Sequence, residues 1–517
     1  MVQFSTRMDL LKGSEIRELL KLTAQPDIIS FAGGMPAPEL FPVEQMMEAS
    51  RAVLEENGRA ALQYSSTEGH PRLRQQIAER MLAKNNIHTD ADHILVTSGS
   101  QQGLDFSARV FLNPGDVVLL ESPSYLGAVN AFKACEPRFI EVPTDNGGMI
   151  MEELEKILAT TERVKMIYVI PDFQNPTGRT WDLERRHQFM EIVNRYEIPV
   201  IEDNPYGELR FEGEYLPALK SLDTKGLVIY LGTFSKILAP GYRIGWVCAE
   251  EHILAKYNFM EQAASLQAST IGQMETSKWI DMFDLDGHVT KIRECYRKRR
   301  TVMLDTLERE LPKECTFTHP DGGLFAWVVL PEYMDAKDLQ MKCLARKVAF
   351  VPGGSFFPNG GHDNTLRLNY SCMPEDKIVV FSSSGHPSEW KHFMRGAKYK
   401  NVYMDLHLYH YRDEYALDIT SPRGLTTAIS RNKRDLKEEI STAFPVSVGE
   451  WSGAAIFANS SVTPEGRNAY ERVFIANQLA SFAPAAGWFF QTWKTEKRIA
   501  AWDARAALGT LERGMIE

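Results

Sequence analysis

The stretch Val228-Ile-Tyr-Leu-Gly-Thr-Phe-Ser-Lys-Ile-Leu-Ala-Pro-Gly-Tyr-Arg-Ile-Gly-Trp246 begins as a β-rich apolar run, stops at a hydroxyl, hydroxyl and lysine, and resumes after an arginine. An amine at Lys236, flanked by Thr233 and Ser235 with Arg243 shortly downstream, suits an aldehyde that bears a phosphate. The lysine would take the aldehyde while the hydroxyls and the guanidinium hold the phosphate. Arg243 would also depress the lysine pKa, leaving some free amine as nucleophile and base. A Ser-Lys pair at a strand end is equally an ordinary surface dipeptide, so the surrounding chain has to discriminate.

Outward from this stretch, apolar runs alternate with helical patterns, which predicts a three-layer α/β domain with a mostly parallel sheet. Polar residues gather where the runs end. Asp116-Val-Val-Leu-Leu120 leads into Glu-Ser-Pro-Ser-Tyr125, Lys165-Met-Ile-Tyr-Val-Ile170 into Pro-Asp-Phe-Gln-Asn-Pro-Thr-Gly178, and Pro199-Val-Ile201 into Glu-Asp-Asn-Pro-Tyr206. In open α/β sheets that edge is where ligands bind. Earlier in the chain, Ser14 to Leu22 has a helical period, and Phe31-Ala-Gly-Gly-Met-Pro36 is a glycine-rich loop able to approach a ligand closely.

Ser-Lys followed by Pro-Gly-Tyr-Arg-Ile-Gly-Trp resembles the lysine segment of the pyridoxal-phosphate aminotransferases of fold type one, in the aminoadipate and kynurenine aminotransferase-like branch. The resemblance runs from about Phe4 to about Lys377. It implies that Lys236 carries the cofactor, that Asp203 keeps the pyridine nitrogen protonated, and that Tyr206 and Asn175 bond the ring's phenolic oxygen. Tyr125 would stack on the ring, and Ser100 and Gln101, opening a helix after Thr97-Ser-Gly, would cap the phosphate together with Thr233, Ser235 and Arg243. Tyr64 matches a tyrosine that reaches the partner subunit's phosphate, which implies a homodimer. Arg367 would clamp the substrate α-carboxylate as a guanidinium fork does, Gly34 would line the substrate pocket, and Arg17 would meet a distal carboxylate. Singly, these residues have plainer readings: Asp203 as a turn cap, the tyrosines as edge aromatics, Asn175-Pro-Thr-Gly as turn chemistry, Arg17 as a solvated helix arginine.

With 517 residues, 44% hydrophobic and 24% charged, the chain can bury large cores in two or more domains. A net charge of −10 argues against a general nucleic-acid footprint, since phosphate backbones select basic surfaces. The start lacks the apolar core of a signal peptide, and no segment is apolar enough to span a bilayer, so the expected address is cytoplasmic. The six cysteines have no metal spacing and read as reduced thiols, and no metal site is expected.

After Lys377 the pattern changes. Ile378 to Pro387 reads as a buried strand and loop, with further strands at 401–411, 445–450 and 487–493, and helical patterns at Thr426 to Glu439 and Arg467 to Leu479. These pieces resemble the second half of the family-five glycoside hydrolases of the exo-1,3-glucanase-like branch, which fold as a (β/α) barrel. Asp405-Leu-His-Leu-Tyr409 would supply an active-site His407 and Tyr409, Val446-Ser-Val-Gly-Glu-Trp451 the nucleophile Glu450, and Trp493 a sugar platform. The plain alternatives are a core histidine, an ion-paired glutamate and a buried tryptophan. The acid of that family lies in an Asn-Glu-Pro motif that this chain lacks, and a retaining hydrolase needs a second carboxyl about 5 Å from the first.

The expected organisation is therefore an N-terminal segment of the aminotransferase small domain (1–45), a cofactor-binding large domain (46–286), the small domain (287–377) and a partial barrel (378–517). The expected reaction moves an amino group between an amino acid and a 2-oxo acid by a ping-pong route. A pyridoxal-phosphate lyase or decarboxylase on the same scaffold, and a glucan-binding or glucan-hydrolysing C-terminal module, stand as alternatives.

Overall fold

The computed structural model describes residues 2–10 and 28–372, and four strands beyond them at 379–382, 402–408, 446–451 and 487–490. The chain divides into two compact units, residues 1–373 and 374–517.

In the first unit, seven strands among the described residues form one sheet: β1 (Ile94–Thr97), β2 (Val117–Glu121), β3 (Arg138–Val142), β4 (Val164–Val169), β5 (Val200–Asp203), β6 (Val228–Thr233) and β7 (Gly245–Cys248), in the order β1-β7-β6-β5-β4-β2-β3. The central strands read as continuous apolar runs because both faces are covered. Alternate residues supply two cores. Val118, Leu120, Met166, Tyr168, Ile201, Ile229 and Leu231 join one cluster, while Val117, Leu119, Ile167, Val169, Val200 and Val228 join the other. The first is completed by helices α1 (Val43–Ala61), α2 (Pro71–Asn85), α3 (Ser100–Phe111) and α4 (Leu126–Lys133), the second by α5 (Met151–Thr160) and α6 (Leu183–Tyr196). The layers are helix, sheet, helix.

The sheet is mostly parallel, as expected, with one strand reversed. β2 to β6 run parallel, but β7 is antiparallel to both β1 and β6. The reason lies in the chain between β6 and β7, residues 234–244, which is too short for a crossover helix and must turn straight back. That turn holds Lys236 at the sheet edge. Since β1 runs the same way as β6, the ends of β1, β2, β4, β5 and β6 all open on this one edge.

Three further helices follow: α7 (Glu251–Ala264), α8 (Thr270–Met282) and α9 (Leu285–Glu310), the last capped by the Asp284 carboxylate accepting from Gly287 N. Beyond α9 a smaller antiparallel sheet has the order β8-β9-β11-β10, formed by β8 (Thr316–Phe317), β9 (Phe325–Val329), β10 (Val351–Pro352) and β11 (Thr365–Asn369). The short strand Ile29–Ser30 pairs in parallel with Val348–Ala349 near this sheet, and Ile28 and Ala32 pack with Trp327, Val351 and Phe356. The early chain thus builds onto its late part.

In the second unit, β12 (Val379–Ser382), β13 (Val402–Leu408), β14 (Val446–Trp451) and β15 (Gly487–Phe490) form a sheet in chain order, every pair parallel. Each expected strand has a described counterpart, β14 lying one residue later than expected at both ends. The expected helices of this segment lie outside the described residues, as does Ser14 to Leu22.

Candidate active site

Lys236 leaves the end of β6, and its Nζ donates to Gly34 O at 2.9 Å. Burial lowers its pKa to about 8, with Arg367 the next cause and Arg243 the smallest. Arg243 lowers it as expected, but its share is the smallest because it is exposed, and exposed charges are screened. A lysine at about 8 keeps a useful fraction of neutral amine near neutrality.

Arg367 lies on β11 and is 4% exposed. Its Nη1 donates to Asn175 Oδ1 at 2.9 Å and its Nη2 to Ala32 O at 2.8 Å, while the guanidinium lies 4.2 Å from the Phe325 ring centre and 5.0 Å from that of Phe356. Its Nε is buried without a partner. Burial brings its pKa down to about 10, so it remains a cation. Asn175 in turn directs its amide at the Tyr206 hydroxyl, 3.4 Å away, and the Tyr206 ring meets Phe325 edge-on at 5.8 Å. Asn175, Tyr206 and Arg367 therefore form one cluster.

Asp203 ends β5 and is 2% exposed. Its Oδ2 accepts from the Tyr168 hydroxyl at 2.9 Å, whereas Oδ1 is buried with no hydrogen-bond partner. Burial lifts the carboxyl to about 7. An orphaned acceptor of this kind is costly and calls for a donor.

At the start of α3, Gly99 has φ +74° and no side chain caps the helix. A Cβ on Gly99 would come within 2.5 Å of Arg243 Nη2, and one on Gly245 within 2.6 Å of Ser100 N. The helix start, β7 and the Arg243 guanidinium are thus in contact, an arrangement suited to a phosphate. Ser100 opens that turn. The Gln101 side chain is exposed and donates to Gly127 O at 2.9 Å, so its contribution to an anion would come from the backbone. Thr233 Oγ1 accepts from Ser235 N at 3.1 Å and lies 2.8 Å from Ser235 Oγ and 3.1 Å from Ile244 O, so it is engaged within the lysine turn. Tyr125, half-buried, folds its ring over Gly127, where an added Cβ would lie 2.3 Å from Cζ.

Tyr64 is 77% exposed. Arg17 lies outside the described residues, as do Tyr409 and Trp493; His407 and Glu450 are Cα partners on β13 and β14. Sequence reasoning passes over Tyr168, Phe325 and Phe356. Tyr168 carries a signal, being the one hydroxyl in an apolar run and in the same alternation as Asp203. The aromatic bed of Arg367 depends on tertiary packing and has none.

These residues fit a phosphorylated pyridine aldehyde on three counts: the unpartnered Asp203 Oδ1, the partly neutral Lys236, and the glycine-lined helix start beneath Arg243. Among the described residues, no group of three or more His, Cys, Asp or Glu is placed to hold a metal, no disulfide forms, and no helix is long and apolar enough to cross a membrane.

Residues 26–382 match the family described as aminotransferase class I and II. The chain is 46% identical over 379 residues to an aromatic-amino-acid aminotransferase of Thermococcus litoralis, covering 72% of this chain and 91% of that protein. A crystal structure of Pyrococcus horikoshii kynurenine aminotransferase in complex with PMP superimposes with a TM-score of 0.70 at 42% identity, over 72% of this chain and 93% of the other. An α-aminoadipate aminotransferase of Thermus thermophilus, complexed with N-(5'-phosphopyridoxyl)-L-leucine, gives 0.67 at 42% identity, over 71% and 92%.

Proposed function

The chain belongs to the class I and II aminotransferases and is a pyridoxal-phosphate-dependent transaminase, and from that premise we propose how its residues divide the work. Lys236 holds the cofactor and moves the proton at the substrate α-carbon. Asp203 bonds the ring nitrogen, Tyr206 and Asn175 the phenolic oxygen, and Tyr125 the ring face. Ser100, the Gln101 amide, Ser235 and Arg243 hold the phosphate, with Thr233 shaping the turn beneath them. Arg367 binds the α-carboxylate of every substrate, and Gly34 and Arg17 line the side-chain pocket. When bound, pyridoxal phosphate supplies an aldehyde and an electron-withdrawing ring that stabilises charge at the α-carbon.

The single observation that carries this reading is the pairing of a partly neutral Lys236 with an unpartnered, buried Asp203 oxygen on one sheet edge. A base near its own pKa at working pH is efficient in both directions of proton transfer. Arg367, fixed on two aromatic rings and two acceptors, loses little freedom on binding a carboxylate. The names of the relatives favour 2-aminoadipate-like, aromatic or branched-chain amino acids as donors and a 2-oxo acid as acceptor. We further infer a cytoplasmic homodimer in which Tyr64 reaches the partner site, consistent with its exposure, and domains at 1–45, 46–286, 287–377 and 378–517.

For residues 378–517 the proposal is a partial (β/α) barrel with no glycosidase activity. Four parallel strands in chain order support the architecture, and His407 standing beside Glu450 in register supports the likeness to a glycosidase. The missing acid carboxyl argues against turnover.

The experiment that tests the main reading supplies holoenzyme with one amino acid and no oxo acid. Conversion of the cofactor from its aldehyde to its amine form, followed by absorbance, is expected. Release of carbon dioxide or of an eliminated side chain instead would overturn transamination in favour of a decarboxylase or lyase.

A further inference from the structure

Three carboxyl groups lie buried at the ends of the two strands that flank β4, and burial brings each to a pKa of about 7: Glu121 on β2, Glu202 and Asp203 on β5. Two of them are fully satisfied. Glu121 accepts from Trp181 Nε1 on one oxygen at 2.9 Å and from Ile170 N on the other at 3.3 Å. Glu202 accepts from Leu219 N and Lys220 N, each at 2.8 Å, one per oxygen. Asp203 alone of the three has one oxygen bonded and one bare.

Strand register explains which oxygen is taken. Tyr168 on β4 pairs with Ile201 on β5, so Asp203, two residues on, is its diagonal neighbour on the same face. A tyrosine side chain is long enough to span that diagonal. Its ring is held edge-on against Phe132, with centres 5.5 Å apart and planes at 81°, and the residue has no exposure. The phenol is pushed well above its ordinary pKa by burial and by Asp203, so the hydroxyl keeps its proton and can only donate to the carboxylate. A carboxylate otherwise turns easily about its last bond, since that torsion is broad. Pinning one oxygen removes the freedom.

We propose that Tyr168 is a positioning residue: by holding Asp203 Oδ2, it fixes the carboxylate plane and leaves Oδ1 as the single acceptor offered to the ring nitrogen of the cofactor. This rests on the role given above to Asp203 and adds a residue that does not touch the cofactor. The bond does two things at once. It supports the ionised carboxylate against the cost of burial, and it makes that charge directional, which matters because a misaligned hydrogen bond weakens steeply.

The test compares equilibrium binding of two ligands to the apo-enzyme: pyridoxal phosphate, and its 1-deaza analogue in which CH replaces the ring nitrogen. Tyr168→Phe keeps the ring packed on Phe132 and removes only the hydroxyl. Wild type is expected to favour pyridoxal phosphate over the analogue. Tyr168→Phe should lose about tenfold in affinity for pyridoxal phosphate, as for one hydrogen bond to a charged group, and nothing for the analogue. A merely structural role would weaken both ligands alike, and that result overturns the proposal. So does an unchanged preference in Tyr168→Phe when wild type discriminates. If wild type itself does not distinguish nitrogen from CH, the assignment of Asp203 fails first and the proposal falls with it. An Asp203→Asn variant that binds pyridoxal phosphate as wild type does would independently overturn both.

Discussion

At the scale of single residues, Lys236 and Asp203 are both displaced from their usual ionisation, and by the same cause. For Lys236 burial disfavours the ammonium, giving a pKa of about 8 in place of 10.5. Each pH unit below 8 therefore lowers the free-amine fraction roughly tenfold. The rate at which apo-enzyme captures pyridoxal phosphate, followed by stopped-flow absorbance, should rise with pH and level off above about 8; a midpoint near 10 would show that the amine is not desolvated. For Asp203 the folded pKa of about 7 lies above the ordinary 3.8. The sign is then opposite to that of a salt-bridged acid: the group costs no stability below about pH 4, costs progressively more between 4 and 7, and the cost is complete above 7. Asp203→Asn should therefore make apo-enzyme more stable than wild type at pH 8, with the difference vanishing near pH 4, while weakening cofactor binding at every pH. Urea titrations at the two pH values read the first effect. The residues proposed to bear the chemistry are legible in the sequence, because Ser-Lys, Asn-Pro-Thr-Gly and Asp-Asn-Pro-Tyr are local motifs. Of their partners, Tyr168 under Asp203 leaves a faint signal as the one hydroxyl in its apolar run and Phe325 under Arg367 leaves none, since strand register and packing bring these pairs together across 35 and 42 residues of chain.

Among the elements, the connection from Ile170 to Trp181 shows how a loop is made rigid enough for a site. Glu121 clasps both of its ends, taking Ile170 N at the start and the Trp181 indole at the finish. Inside, Gln174 Nε2 donates to Pro123 O at 2.7 Å and its carbonyl accepts from the Thr177 amide and hydroxyl. Asn175 sits within this frame and passes its position to Arg367. Glu121→Ala would strand two buried donors, at about 1 to 3 kcal/mol each. It should raise KM for amino acids severalfold through Arg367, with Glu121→Gln intermediate because an amide can satisfy only one of the two donors. A change confined to kcat in steady-state kinetics would break the proposed chain from clasp to arginine. Elements of this kind are partly legible in the sequence. The apolar runs at β2, β4, β5 and β6 announce buried strands, but the antiparallel return of β7 is hidden, because its cause is the length of the lysine turn rather than any strand composition.

For the whole molecule, the two compact units meet in sequence at Met373, close to where family likeness ends at residue 382. Every residue given a role in cofactor or amino-acid binding lies before that point, and so do the two cores that carry the large sheet. The second unit offers four parallel strands. Were that unit the proposed partial (β/α) barrel, catalysis would belong at the C-terminal ends of its strands, and Glu450 is near such an end. Retaining hydrolysis needs two carboxyls, however, and losing the acid alone forfeits roughly 10²- to 10⁴-fold. Two results are therefore expected of the full chain and of a chain ended after residue 382. Both should transaminate with similar kcat, and neither should release sugar from laminarin. Laminarin turnover that disappears in Glu450→Gln would overturn the second expectation. Loss of transamination in the shortened chain, with loss of its cooperative unfolding transition, would mean that the first unit relies on the second for stability, since the shortening removes no residue proposed to act in the chemistry.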